Sequence, residues 1–194
     1  SDLPDSLDPL IHQWGRSIPS GVGRSHPEAT PQAVLWMKEN PPPHELQKRT
    51  ANAAVTQLGS LGSGNHFVEL CVDERKPDRI VWVILHSGSR NVGNTLAQGH
   101  IKIAKALNQD LEDKDLAYFV QGTDEFSAYI QDMLWAQLYA FQNRDLIMDA
   151  ALADVFRYVA PGQEVSRINC HHNYAIREVH NGKQCFWAND SFIK

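Results

Sequence analysis

The feature that most constrains how this chain can fold is a helical pattern that starts at Thr123 and runs to Pro161-Gly162. Phe126, Ile130, Met133, Leu134, Leu138 and Phe141 recur at helical spacing, and Leu152, Val155, Phe156 and Val159 carry the pattern on. Thr123 is suited to cap the first turn, where Asp124 and Glu125 complement the positive end of the helix dipole. Upstream, Asp5–Trp14 reads as a short helix with Leu7, Leu10, Ile11 and Trp14 on one face, closed by a loop over Ile18–Gly23. Pro41-Pro42-Pro43 interrupts the chain as a surface connection, and helix resumes over His44–Leu58. Phe67–Val72 and Arg79–Leu85 read as strands. Ile80 to Leu85 is an almost unbroken apolar run, as expected of a strand buried on both faces. Asn94–Leu107 is helical, with Leu96, Ile103, Ala104 and Leu107 on one stripe. Asn181-Gly182 predicts a hairpin joining Tyr174–Val179 to Gln184–Trp187. This order predicts an α+β fold over residues 1–194, with mixed or antiparallel strands packed on long helices and the histidine motifs at strand ends.

Composition narrows the function classes. The 194 residues are 42% hydrophobic and 21% charged, ordinary for one globular domain. A net charge of −5 offers no general attraction to nucleic acid, so any RNA contact needs a local patch, with Arg90 the more useful candidate beside Lys48-Arg49. Cys71, Cys170 and Cys185 lack CxxC spacing and are odd in number, which argues against a disulfide framework or a zinc knuckle. No apolar run reaches membrane-spanning length and no signal peptide opens the chain, so the expectation is a cytoplasmic protein without membrane contact.

Three separated segments carry the chemistry. Gly59, Gly62 and Gly64 form a glycine-rich turn that leads into Asn65-His66 and a strand bearing Glu69. The turn lacks the ending of a P-loop and opens no helix, so neither a P-loop nor a dinucleotide fingerprint is present. Asn65 and His66 pair an amide donor with an imidazole, enough to hold a phosphoryl oxygen beside a metal. His86 ends the apolar strand and precedes Ser87-Gly88-Ser89-Arg90, whose guanidinium is a forked donor for phosphate. In Cys170-His171-His172-Asn173, adjacent residues of an extended segment point to opposite faces. One imidazole is then expected to ligate a metal and the other to support it or contact phosphate. His12, His26, His44 and His100 read as exposed or structural. Cys71 and Cys185 read as small core residues, Cys170 as buried beside the histidines, and Tyr129 and Trp135 as core.

Taken together, these segments resemble the RtcB family of GTP-dependent RNA ligases, from about Ser6 to Trp187. Asp115-Leu116-Ala117-Tyr118-Phe119, Trp135-Ala136-Gln137 and Asn143-Arg144-Asp145 add to the likeness. The resemblance implies joining of RNA ends that carry a 2′,3′-cyclic phosphate or 3′-phosphate to 5′-hydroxyl ends, as in tRNA splicing or RNA repair. It implies GTP and two Mn²⁺ ions as cofactors and tRNA halves or broken RNA ends as partners. By the same resemblance His66, His86 and His172 are metal ligands, and Asn65 and Glu69 contact GMP. Arg90 and His171 contact phosphate or RNA.

The family's Asp-Val-Gly-Cys-Gly-Met segment is expected before Ser1, and its guanylylated histidine after Lys194; His180 matches a different position. The chain therefore reads as the middle of a ligase, which by itself is expected to bind metal weakly and form no GMP adduct. The alternatives are an inactive metal- or RNA-binding remnant and a stand-alone metal-dependent phosphoesterase.

Overall fold

The protein was analysed as a computed structural model that describes residues 4–73, 80–171 and 173–190. It is an α+β structure. Its helices are α1 (Asp8–Ser17), α2 (Pro31–Glu39), α3 (Lys48–Gln57), α4 (Arg90–Leu107) and α5 (Asp124–Tyr158). Strands β1 (Phe67–Val72) and β2 (Val81–His86) pair antiparallel with Phe67 opposite His86. Strands β3 (Asn173–His180) and β4 (Lys183–Asp190) form a second antiparallel pair.

The long helix forms as its sequence predicts, with 35 residues from Asp124 and the Thr123 side chain accepting the Phe126 N–H. The Asn181-Gly182 turn also forms, both residues taking positive φ as a tight hairpin requires. Other elements differ from expectation. Helix α1 starts three residues later, at Asp8, because Pro9 fits a first turn that needs no N–H from it; the helix buries Leu10 and Trp14 and leaves Ile11 exposed. Helix α2 was not anticipated, although Thr30 caps the Ala33 N–H and Pro31 opens the helix. Residues 44–47 stay outside α3, and α4 begins at Arg90 and buries Val92 and Ala104 while Ile103 and Leu107 remain exposed.

Helix α5 organises the core. Its first half contributes Trp135 and Tyr139 to a cluster with Ala33, Trp36, Ala54, Leu58 and Val92. Its second half contributes Ile147, Ala151 and Val155 to a cluster with Leu10, Trp14, Ile18 and Leu61, against which Val83 and Leu85 pack. A fully buried side chain such as Leu10 or Ile147 stabilises the fold by about 1.5–3 kcal/mol. The polar tips of two of these core aromatics are satisfied: Trp14 Nε1–H donates to the Ala151 carbonyl at 3.2 Å and the Tyr139 hydroxyl to the Ala54 carbonyl at 2.7 Å.

Strand β2 departs from the expected two-sided burial. Val83 and Leu85 face the core, but Val81, Trp82 and Ile84 are exposed. Helix α5 covers one face of the hairpin. The second half of α5, β2 and residues 159–170 border an apolar groove of about 640 Å³. The 160–171 segment is held to α5 by Arg167, which pairs with Asp149 at 2.7 Å and with its neighbour Glu164 at 2.6 Å.

Candidate functional site

Between its two apolar clusters, α5 presents Asn143 and Arg144, both buried, and the glycine-rich turn, the β2 end and the 169–171 segment meet there. The turn is built by glycine. Gly59, Gly62 and Gly64 all have positive φ. At Gly62, φ is +107°, and a Cβ would lie 2.1 Å from Arg90 Nη1 and 2.3 Å from His66 Nδ1. Glycine therefore leaves room for a guanidinium and an imidazole to share one space. The loop 18–24 closes over the same turn: the Gly21 N–H donates to the Gly62 carbonyl at 2.7 Å and the Leu61 N–H to the Pro19 carbonyl at 2.9 Å.

The structure brings His66 and His86 together, their ring centroids 5.4 Å apart in an edge-to-face arrangement. Arg90 reaches the space from the start of α4, with φ +56°, an uncommon conformation for a residue with a Cβ. Its Nε–H donates to Ser60 Oγ at 3.1 Å and its Nη2–H to the Arg24 carbonyl at 3.2 Å. Desolvation lowers the Arg90 pKa, yet a guanidinium stays charged near neutrality. Asn65 is exposed on the turn beside His66. Glu69 lies on the exposed side of β1. His171 precedes β3 and stands 3.4 Å from Arg144 Nη2, with its ring 6.0 Å from that of Phe141. His172 lies outside the described residues. Among the described residues, no group of three or more His, Cys, Asp or Glu side chains has metal-holding geometry.

Several positions behave differently from their sequence reading. Cys170 is exposed rather than buried, because the segment that carries it lies along the surface. Cys71 is only half-buried in a strand with one covered face. The Cys185 side chain lies outside those described. His26 is structural, but it braces the turn, with Nε2 3.1 Å from the Gly59 carbonyl. His44 and His100 share Asp132 at 2.9 and 2.7 Å.

Sequence reasoning passed over Asn143, Arg144, Ser60 and Ser87 as functional positions. Asn143 Oδ1 accepts the Gly59 N–H at 2.8 Å, while its Nδ2 reaches the Ser60 carbonyl, Ser87 Oγ and the Gly88 carbonyl at 3.1–3.2 Å. Arg144 donates to Asn169 Oδ1 at 2.7 Å and to the Ser87 carbonyl at 3.4 Å. The signal for Asn143 and Arg144 was the Asn143-Arg144-Asp145 triplet, a minor match to the family pattern, while Ser60 and Ser87 lie within the glycine-rich and His86 segments.

The three segments that meet here are those on which the family resemblance rests, and a family model described as "tRNA-splicing ligase RtcB" matches residues 25–188. The chain belongs to the RtcB family. It is 41% identical over 212 residues to the RNA-splicing ligase RtcB of Escherichia coli K12, covering 95% of this chain and 50% of that protein. It is 35% identical over 213 residues to RNA-splicing ligase RtcB1 of E. coli ATCC 25922, covering 96% and 50%. The tRNA-splicing ligase RtcB of Methanococcus maripaludis is 32% identical over 229 residues, covering 93% and 47%. The chain thus spans about half the length of these RtcB relatives.

Proposed function

We propose that residues 1–194 form part of an RtcB-type RNA ligase domain acting in the cytoplasm. It would join 2′,3′-cyclic phosphate or 3′-phosphate RNA ends to 5′-hydroxyl ends with GTP and Mn²⁺. The observation that carries this reading is the meeting of His66 and Arg90 over Gly62, with the His86 ring against that of His66, in a chain of this family. The donor set suits a divalent first-row cation beside an anion, since two imidazoles in contact adjoin a guanidinium. His66 and His86 would hold the ion, with His172 as the third ligand. When bound, Mn²⁺ neutralises phosphoryl oxygens and favours in-line displacement.

The chain's own residues supply recognition. Among the described residues, two of the five N–H groups of Arg90 are engaged, by Ser60 Oγ and the Arg24 carbonyl, which orients the guanidinium and leaves the others for a phosphate. Asn65, exposed beside His66, adds an amide donor to the same anion, and His171 a further contact to phosphate or RNA. Glu69 would accept from the guanine of GTP.

The test is binding of a short RNA, followed by fluorescence anisotropy, with a 3′-phosphate, a 2′,3′-cyclic phosphate or a 3′-hydroxyl end. Phosphate-ended RNA should bind more tightly in the presence of Mn²⁺, and Arg90→Ala should remove most of that preference. Equal affinity for all three ends would overturn the reading.

A further inference from the structure

We propose that Asn143, in the middle of α5, is a positioning residue that sets the approach of His66 to His86 and Arg90. The inference rests on the reading of those residues as a metal and phosphate site. Asn143 is fully buried, and its side chain bonds to groups from two different motifs. On the glycine-rich turn it accepts the Gly59 N–H and donates to the Ser60 carbonyl. After β2 it donates toward Ser87 Oγ and the Gly88 carbonyl. The Ser87 hydroxyl in turn donates to the Leu61 carbonyl at 2.7 Å, so its oxygen faces Asn143 as an acceptor. These directions fix the amide in one orientation, with its oxygen on Gly59.

The consequence for the site follows from chain order. His86 immediately precedes Ser87, and Arg90 follows Gly88 by two residues. Arg90 also bonds to the side chain of Ser60, the residue whose carbonyl Asn143 holds. The β1–β2 ladder begins at the Phe67–His86 pair, so His66 lies just outside it. The ladder alone therefore leaves the His66 ring to be placed by the turn, and the turn's root at 59–60 is the part Asn143 grips. Arg144 extends the arrangement to the third motif through Asn169 and the Ser87 carbonyl.

A general stabiliser would lower stability without a selective effect on the histidines, and this separates the two roles. Asn143→Asp keeps an acceptor for the Gly59 N–H but sets a carboxylate against the Ser60 and Gly88 carbonyls. Ile147→Ala, one turn along in the apolar core, serves as the stability-matched control. Three quantities are read on the full chain: melting temperature, the imidazole NMR resonances of His66 and His86 at fixed pH, and Mn²⁺ affinity. Asn143→Asp should shift both sets of resonances and weaken Mn²⁺ binding about tenfold or more, the range typical for supports of metal ligands. Ile147→Ala should lower the melting temperature without either change. Should Asn143→Asp not fold, Ser87→Ala, which removes one of the bridged groups, should show the same two changes to a smaller degree. Unchanged histidine resonances in the Asn143 or Ser87 variant, or equal changes in Ile147→Ala, would overturn the proposal. A wild-type chain without Mn²⁺ affinity would defeat the metal reading, and the resonances would still decide the positioning role.

Discussion

Gly62 carries the most concentrated constraint on the site, because its missing Cβ and its backbone conformation are both in use. Gly62→Ala would drive a methyl group toward Arg90 Nη1 and His66 Nδ1 while forcing an alanine to φ +107°. The backbone strain alone should lower stability by about 1–3 kcal/mol. A thermal melt checks that magnitude, and chemical-shift changes at His66 should accompany it. An unchanged melt together with an unchanged His66 signal would show that the turn has another conformation. At this scale the sequence reveals residues whose chemistry is local. His66, His86 and Arg90 stand out because imidazole and guanidinium groups sit beside glycine and serine. Asn143 does not, since an asparagine within a helix has no local signature and its partners lie 55 to 84 residues away in the chain. The loop over Ile18–Gly23 was legible, but its contact with Gly62 was not, for a related reason: that contact joins backbone groups of any residue type.

Elements show the same division between local and distant information. Helix α5 and the Asn181-Gly182 hairpin were legible because caps, periodicity and turn residues lie within the elements themselves. The exposure of β2 was not, because a strand's apolar run says nothing about how many faces its neighbours cover. The connection between α2 and α3 is tied to the helices by Asp132, a buried carboxylate on α5 bonded to His44 and His100. Asp132→Ala should destabilise the protein by about 2–4 kcal/mol, because it strips the partly buried His100 imidazole of its partner. A loss below about 0.5 kcal/mol in denaturant titration would contradict this role, being no more than an ordinary surface substitution.

The segment after α5 gives a pH-dependent counterpart. Hydrogen bonding to Arg167 holds the Glu164 carboxyl below the usual carboxylate range. With the folded pKa depressed, its contribution is present above the unfolded pKa and is lost as pH falls through the folded one. Hydrogen exchange over 160–170 should therefore show lower protection at pH 3 than at pH 7, after correction for intrinsic rates. Equal protection at the two values would mean that the Glu164–Arg167 pair does not order the segment.

Across the whole molecule, a chain of net charge −5 gathers two cations, Arg90 and Arg144, around the junction of its three motifs. Helix α5 passes through that junction with an apolar cluster on either side, so the core and the site share one scaffold. Among the described residues no helix is long and apolar enough to cross a membrane. The central claim is that His66 and His86 act together on one bound cation. Calorimetric titration of the 194-residue chain with Mn²⁺, alongside His66→Ala and His86→Ala, tests it most directly. The predicted result is one Mn²⁺ per chain, with affinity falling about tenfold or more in each variant while the fold, followed by circular dichroism, is retained. Wild-type affinity in both variants would contradict it.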